Sequence, residues 1–172
     1  MVEPISEGPE SGLLAAIVQR LPGYRGYRLR RDRQQSDEQS RAWLVERLER
    51  GKRGLDAHTR RLVDDGRIDE LPGWEQLRTR LDRLAARIAS SWHGYRSFFD
   101  RSDLVADRLE DVYDCDARLQ DETEKLLALI NATGSATEAA AEPAAAIRFQ
   151  LDQVQATVDE RETLLKQLSA DG

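Results

Sequence analysis

The sequence predicts an all-α fold, an elongated antiparallel helical bundle or coiled coil of three to four long helices. Apolar spacing is the first observation behind that reading. Trp74, Leu77, Leu81, Leu84, Ile88 and Tyr95 form one series, and Ile147, Leu151, Val154, Val158, Leu165 and Leu168 another. At the helical period such spacing lays one apolar stripe along each helix. Composition is the second. Charged residues make up 34% of the 172-residue chain and apolar residues 40%, which suits long, solvent-laced helices around a thin core. The third is that the prolines fall at expected ends and loops.

Residues 1–11 (MVEPISEGPES) read as a disordered acidic tail, too polar to bury much surface. Residues 12–131 are the expected helical core. They open with a short apolar patch, GLLAAIVQRL over 12–21, followed by the break Pro22-Gly23-Tyr24-Arg25-Gly26-Tyr27, whose two glycines bracket aromatics and imply a shaped turn. A helix is expected from about Leu29 to Val63, with Leu44, Leu48, Leu55 and Leu62 as its stripe. Gly51 and Gly54 interrupt it; each costs about 1 kcal/mol against Ala, so they imply a kink, a close helix crossing or a break. Gly66 reads as the stop.

The next helix should start near Pro72, because proline's missing N–H has no partner in a first turn anyway. Its stripe is expected to continue to Tyr95 and to end at Phe98-Phe99-Asp100, with Asp100 as N-cap of a fourth helix from about Ser102 to Asn131. The fourth stripe, Val105, Leu109, Val112, Asp116, Leu119, Thr123, Leu126 and Ile130, carries two polar members. A polar seam residue needs a partner, and it fixes register or binds something. Residues 132–143 (ATGSATEAAAEP) read as an Ala-rich linker, and 144–172 as a C-terminal amphipathic helix able to dock in cis or in trans.

Charge is unevenly divided. From Arg20 to Arg61 there are thirteen basic and six acidic residues, a balance of +7; from Leu62 onward there are thirteen basic and twenty-three acidic, a balance of −10. Arg25, Arg28, Arg30, Arg31 and Arg33 form the densest stretch. Two readings are open. The arginines pair internally with acidic helices, or they form an anion-binding patch. Their position beside the apolar segment suits anionic lipid, and Tyr24 and Tyr27 among them suit base stacking. The acidic remainder of the chain argues against nucleic acid.

Several pieces carry a resemblance: Pro22-Gly23-Tyr24-Arg25-Gly26-Tyr27, Asp37 with Arg41, Gly94-Tyr95 with Phe98-Phe99-Asp100, and Leu109 through Tyr113 to Asp116. Over roughly residues 13–130 the chain resembles an uncharacterised bacterial all-helical family with these turns. That resemblance implies no activity. It directs attention to turns and seam polars rather than leucines. The Tyr24/Tyr27 turn is expected to dock on the Gly94–Asp100 turn at one end of the helices. Asp116 would then accept a hydrogen bond from a tyrosine hydroxyl, or from Arg25 or Arg96. Tyr24, Tyr27, Tyr95, Phe98, Phe99, Asp100 and Asp116 are the candidates for this structural lock, with a ligand pocket as the other reading.

Chemistry is sparsely signalled. The single cysteine, Cys115, lies between Asp114 and Asp116, which disfavour a thiolate. His58 falls on a stripe, where a partly buried, hydrogen-bonded ring is expected, and His93 sits at a helix end, where a cation suits the dipole. Neither fits the Glu-x-x-His spacing of di-iron helices, and neither a phosphate loop nor a Gly-x-Ser-x-Gly elbow occurs. The expectation is a non-enzymatic scaffold or adaptor without cofactor or metal, whose partner is another protein or a second copy of the chain, with a peripheral anionic-lipid binder acting through residues 12–33 as the alternative. Met1 to Glu10 carry three glutamates and no basic run, and no stretch reaches membrane-spanning length, so a cytoplasmic or membrane-peripheral location is expected.

Overall fold

A computed structural model describes residues 9–102, 104, 106–133 and 141–170. Among these the structure is all-helical, with five α-helices, two 3-10 helices and no strand. The helices are α1 (Pro9–Arg20), α2 (Arg30–Asp64), α3 (Leu71–Ser90), α4 (Ala106–Thr133) and α5 (Ala141–Ala170). One 3-10 helix, Ile68–Glu70, precedes α3, and the longer Ser91–Asp100 follows it.

The stripes read from sequence form the core. Leu44, Leu48, Leu55 and Leu62 of α2, Trp74 to Ile88 of α3, Leu109 to Ile130 of α4 and Ile147 to Leu168 of α5 are all buried. α2 packs on α3 and α4, and α5 packs on α4, α3 and the Ser91–Asp100 segment. Cross-helix pairs fix the directions. Lys52–Asp82 and Arg78–Asp56 show α2 and α3 running oppositely, and Arg118–Glu160 with Glu122–Thr157 shows the same of α4 and α5. Arg47–Glu124 and the Gly54–Ile130 contact place α2 and α4 in the same direction, as Arg80–Asp152 and Arg87–Glu162 place α3 and α5. The two hairpins thus lie side by side, with α2 and α5 on a diagonal.

Of the three readings of Gly51 and Gly54, the close crossing is the one observed. α2 runs unbroken through both. A Cβ at Gly54 would lie 2.8 Å from Ile130 Cγ2, so α4 approaches closer than any other residue permits. α2 stops at Gly66, where the Gly66 and Arg67 amides close back on Val63 and Leu62.

Several boundaries differ from expectation. α1 begins at Pro9, inside the stretch expected to be a tail; residues 1–8 lie outside the described residues, as do 134–140 of the expected linker. α3 ends at Ser90 rather than reaching Tyr95, because the chain tightens into the 3-10 segment, in which Tyr95 leaves helical geometry (φ −136°, ψ 28°). Asp100 is not the cap of α4, which starts at Ala106; it closes the 3-10 segment and pairs with Arg30 on the surface. α5 docks in cis, its whole apolar stripe buried against the rest of the chain.

Candidate functional site: a buried arginine–carboxylate–tyrosine lock

Five segments converge toward the end of the bundle at which α2 begins: the Pro22–Tyr27 turn, the first turns of α2, the Ser91–Asp100 segment, α4 around Tyr113 and Asp116, and α5 around Arg161. The chain folds this way locally because the turn carries two tyrosines that cannot be left exposed without losing large apolar area. Tyr27 is fully buried. Its ring stacks on Tyr113 at 5.5 Å between centroids and meets Phe98 edge-on at 5.7 Å. The Tyr24/Tyr27 turn thus lies against the segment holding Phe98. Tyr95 and Phe99 pack edge-on beside them.

The backbone of the turn is fastened by side chains from elsewhere. Tyr113 Oη accepts the Tyr27 amide at 2.6 Å, Ser36 Oγ donates to the Gly26 carbonyl at 2.9 Å, and Arg33 Nε donates to the Tyr27 carbonyl at 2.6 Å. Gly26 has φ 76°, and a Cβ there would sit 2.5 Å from the Tyr113 hydroxyl, so position 26 excludes other residues on both counts.

At the centre lies Arg161 of α5, 3% exposed. Its Nε donates to Asp116 Oδ1 at 2.5 Å, its Nη2 to Asp37 Oδ1 and to Tyr27 Oη at 2.9 Å each, and its Nη1 to Tyr95 Oη at 3.3 Å. The carboxylates are completed from the other side. Asp116 Oδ2 accepts from Tyr27 Oη at 2.7 Å and Tyr24 Oη at 3.3 Å; Asp37 Oδ1 accepts from Tyr95 Oη at 3.0 Å and its Oδ2 from Arg41 Nε at 2.8 Å. Two guanidinium groups thus balance two buried carboxylates, and every carboxylate oxygen is bonded. Arg161 joins α5 across the diagonal to α2, which its helix does not otherwise adjoin.

The electrostatics follow from that burial. Desolvation, then the Asp116 charge, holds the hydroxyls of Tyr24 and Tyr27 well above the usual phenol range. Tyr95 is raised by burial, with Arg161 opposing. Burial works against the Arg161 charge, yet Asp116, Tyr27 and Asp37 hold it more firmly protonated than a free guanidinium. Cys115, one residue from Asp116, is buried and its thiol is pushed up to about 12 by desolvation and then by Asp116. That is the opposite of an activated nucleophile. Charged, saturated and closed, this arrangement is suited to holding elements in register rather than to proton transfer.

Of the lock candidates, the structure brings together Tyr24, Tyr27, Tyr95, Phe98, Phe99 and Asp116, and leaves Asp100 outside. The arginine on Asp116 is neither Arg25 nor Arg96. Arg25 points outward near Asp32, and Arg96 lies over the Trp92 ring. Arg161 takes that place. Its signal was in the sequence, because the α5 stripe skips one seam position between Val158 and Leu165, and an arginine stands there opposite the seam aspartate of α4.

The arginine-rich stretch divides. Arg25, Arg28, Arg30 and Arg31 are exposed, whereas Arg33 is buried, 3% exposed, and donates to the Tyr27 and Arg101 carbonyls. Arg33 is therefore corrected from a patch residue to a fastener of the turn. The apolar segment beside the patch is also committed: Ile17 and Leu21 are in the core, and α1 packs on α4. Further along α2 the basic residues pair across helices, Arg47 with Glu124 at 2.8 Å and Lys52 with Asp82 at 2.8 Å.

His58 is buried on its stripe against Trp74, with ring centroids 4.2 Å apart, but its Nε2 has no hydrogen-bond partner, contrary to expectation. Burial, then Arg61 and Arg67, lowers its pKa. His93 is exposed, with Nδ1 2.9 Å from the Ser90 carbonyl at the end of α3. Among the described residues no three metal-ligating side chains cluster, and no helix is long and apolar enough to cross a membrane. The chain matches no protein-family model, no curated protein and no solved structure.

Proposed function

We propose that this chain is a non-enzymatic scaffold or adaptor, an elongated bundle of four long helices that acts by binding another protein or a second copy of itself. The observation that carries this reading is that the apolar stripes and the central charged cluster are both spent within the chain. The α5 stripe is spent on packing in cis, and the charged cluster around Arg161 has its carboxylate oxygens filled. A molecule so closed offers its outer surface for work. Long helices give much of it: the 35 residues of α2 span about 50 Å at 1.5 Å each.

The lipid reading is supported by exposed Leu29 between Arg28 and Arg30 and by exposed Val18, and opposed by the burial of Ile17 and Leu21, which takes most of the apolar face away from a bilayer.

Cross-linking of the full chain in native extract, with light scattering of the purified protein, tests the proposal. Recovery of a protein partner, or a defined oligomer, is the expected result. A monomer that recovers only lipid or nucleic acid would overturn it.

A further inference from the structure

We propose that the end of the molecule formed by residues 22–31 is a docking surface for an acidic protein segment, with Arg25, Arg28, Arg30 and Arg31 supplying the charge and Leu29 the apolar contact. This deepens the adaptor reading and rests on it.

Four observations carry the proposal. Exposure is the first. The side chains of Arg25, Arg30 and Arg31 are 66%, 60% and 79% exposed, Arg28 is exposed, and Leu29 is 52% exposed.

Incomplete neutralisation is the second. Asp32, almost buried, lies 3.6 Å from Arg25 and 3.9 Å from Arg31, too far for good hydrogen bonds. Asp100 meets Arg30 at 3.3 Å but is itself 76% exposed, so an incoming carboxylate can replace it. Arg28 has no acidic partner among the described residues. Four cations therefore face two weakly engaged carboxylates.

Preorganisation is the third. The main chain beneath these arginines is held by Tyr113, Ser36 and Arg33, so a partner does not have to order it. Arginine forks on a fixed base suit bidentate recognition of carboxylates.

The fourth observation selects the partner. Base stacking needs exposed rings, and Tyr24 and Tyr27 are 4% and 0% exposed. Membrane insertion needs a contiguous apolar face, and with Ile17 and Leu21 facing inward only Val18 and Leu29 stand exposed as large apolar side chains among residues 12–31. An acidic segment needs neither. The acidic part of the chain, −10 from Leu62 onward, disfavours such a segment there, and Arg41, Arg47 and Lys52 further along α2 are already paired with carboxylates.

The test uses the full purified chain and a fluorescent, glutamate-rich peptide carrying leucines, titrated at low and high salt. One variant carries Arg25→Glu, Arg28→Glu, Arg30→Glu and Arg31→Glu. A control carries the same charge change at exposed Arg50, Arg53, Arg60 and Arg83. Binding more than about tenfold weaker in the first variant, near wild type in the control and weakened by salt supports the surface. Arg28→Glu alone, at an unpaired position, should weaken binding about threefold without disturbing the fold. Equal binding by both fourfold variants, no binding by the wild type, or tighter binding of phosphatidylserine vesicles or single-stranded RNA than of the peptide overturns it. In native extract, a protein partner retained equally by the reversed variant removes this surface alone, whereas recovery of no protein removes the adaptor reading itself.

Discussion

At one end of the four long helices the interior is charged: Arg161, Asp37, Asp116 and three tyrosine hydroxyls meet in one hydrogen-bonded set. At the other end, where Gly54 meets Ile130 and His58 lies on Trp74, contact is by close packing. The difference teaches how one chain divides two tasks. Apolar packing stabilises the helices but is tolerant of slippage, because leucines repeat. A buried charge set adds little net stability, since desolvation offsets its attraction, but it is satisfied in one arrangement only. It fixes which seam position of α5 faces which of α2 and α4.

The largest expected effect breaks the charged end. Arg161→Met leaves Asp37 and Asp116 buried with their main cation gone and should lower stability by about 3–5 kcal/mol, read from urea unfolding. Adding Asp116→Asn removes one stranded charge, so the double variant should lose less than the two single losses together. Strict additivity would show that these groups do not act as a unit.

The packed end should respond to volume instead. Gly54→Ala gains about 1 kcal/mol of helix propensity but drives a methyl into Ile130, for a net loss of about 1–2 kcal/mol. In an Ile130→Ala background the same change should become stabilising. Thermal unfolding of the four proteins decides it, and a Gly54→Ala variant more stable than wild type would mean the crossing is looser than 2.8 Å implies.

The two ends should also titrate in opposite senses. Tyr24, Tyr27 and Tyr95 have folded pKa values raised above the ordinary 10.0. Their contribution is complete below pH 10 and is lost as pH rises above it, because the unfolded chain ionises first. His58 has its folded pKa lowered from 6.5, so its neutral form contributes fully above that pH and stability falls as pH drops below it. Tyr24→Phe should flatten the alkaline limb of a stability–pH curve, and His58→Gln the acid limb. A single variant altering both limbs would contradict the separation of the ends.

The smallest effect is reserved for the rim. Arg80→Gln cuts the partly exposed pair with Asp152 and should change stability by no more than about 0.5 kcal/mol. A larger loss would make the α3–α5 rim a third stabilising region.

Much of this was legible in the residues. The stripes of α2 to α5, the stop at Gly66 and the start near Pro72 follow from spacing and turn chemistry, which are local. The end of α3 was not legible, since Trp92 to Tyr95 keep an apolar pattern compatible with either helix type. The cation on Asp116 was legible only in part, as a polar gap at position 161 of the α5 stripe, since nothing local says which seam that gap faces. Arg25 and Arg96 were the candidates because they lie in the two turns expected to dock, yet the arginine that reaches Asp116 comes from α5, 45 residues further along the chain.

By itself, then, the amino-acid order determined the helices, the faces they bury and the existence of polar seam positions, because the helical period and the hydrophobic effect act residue by residue. Only the tertiary structure decided which polar seams meet, that Arg33 is a buried fastener while its four neighbours remain in solvent, and that α5 closes the core in cis. Those outcomes depend on long-range apposition: a buried charge is tolerable only where partners from distant segments converge on it.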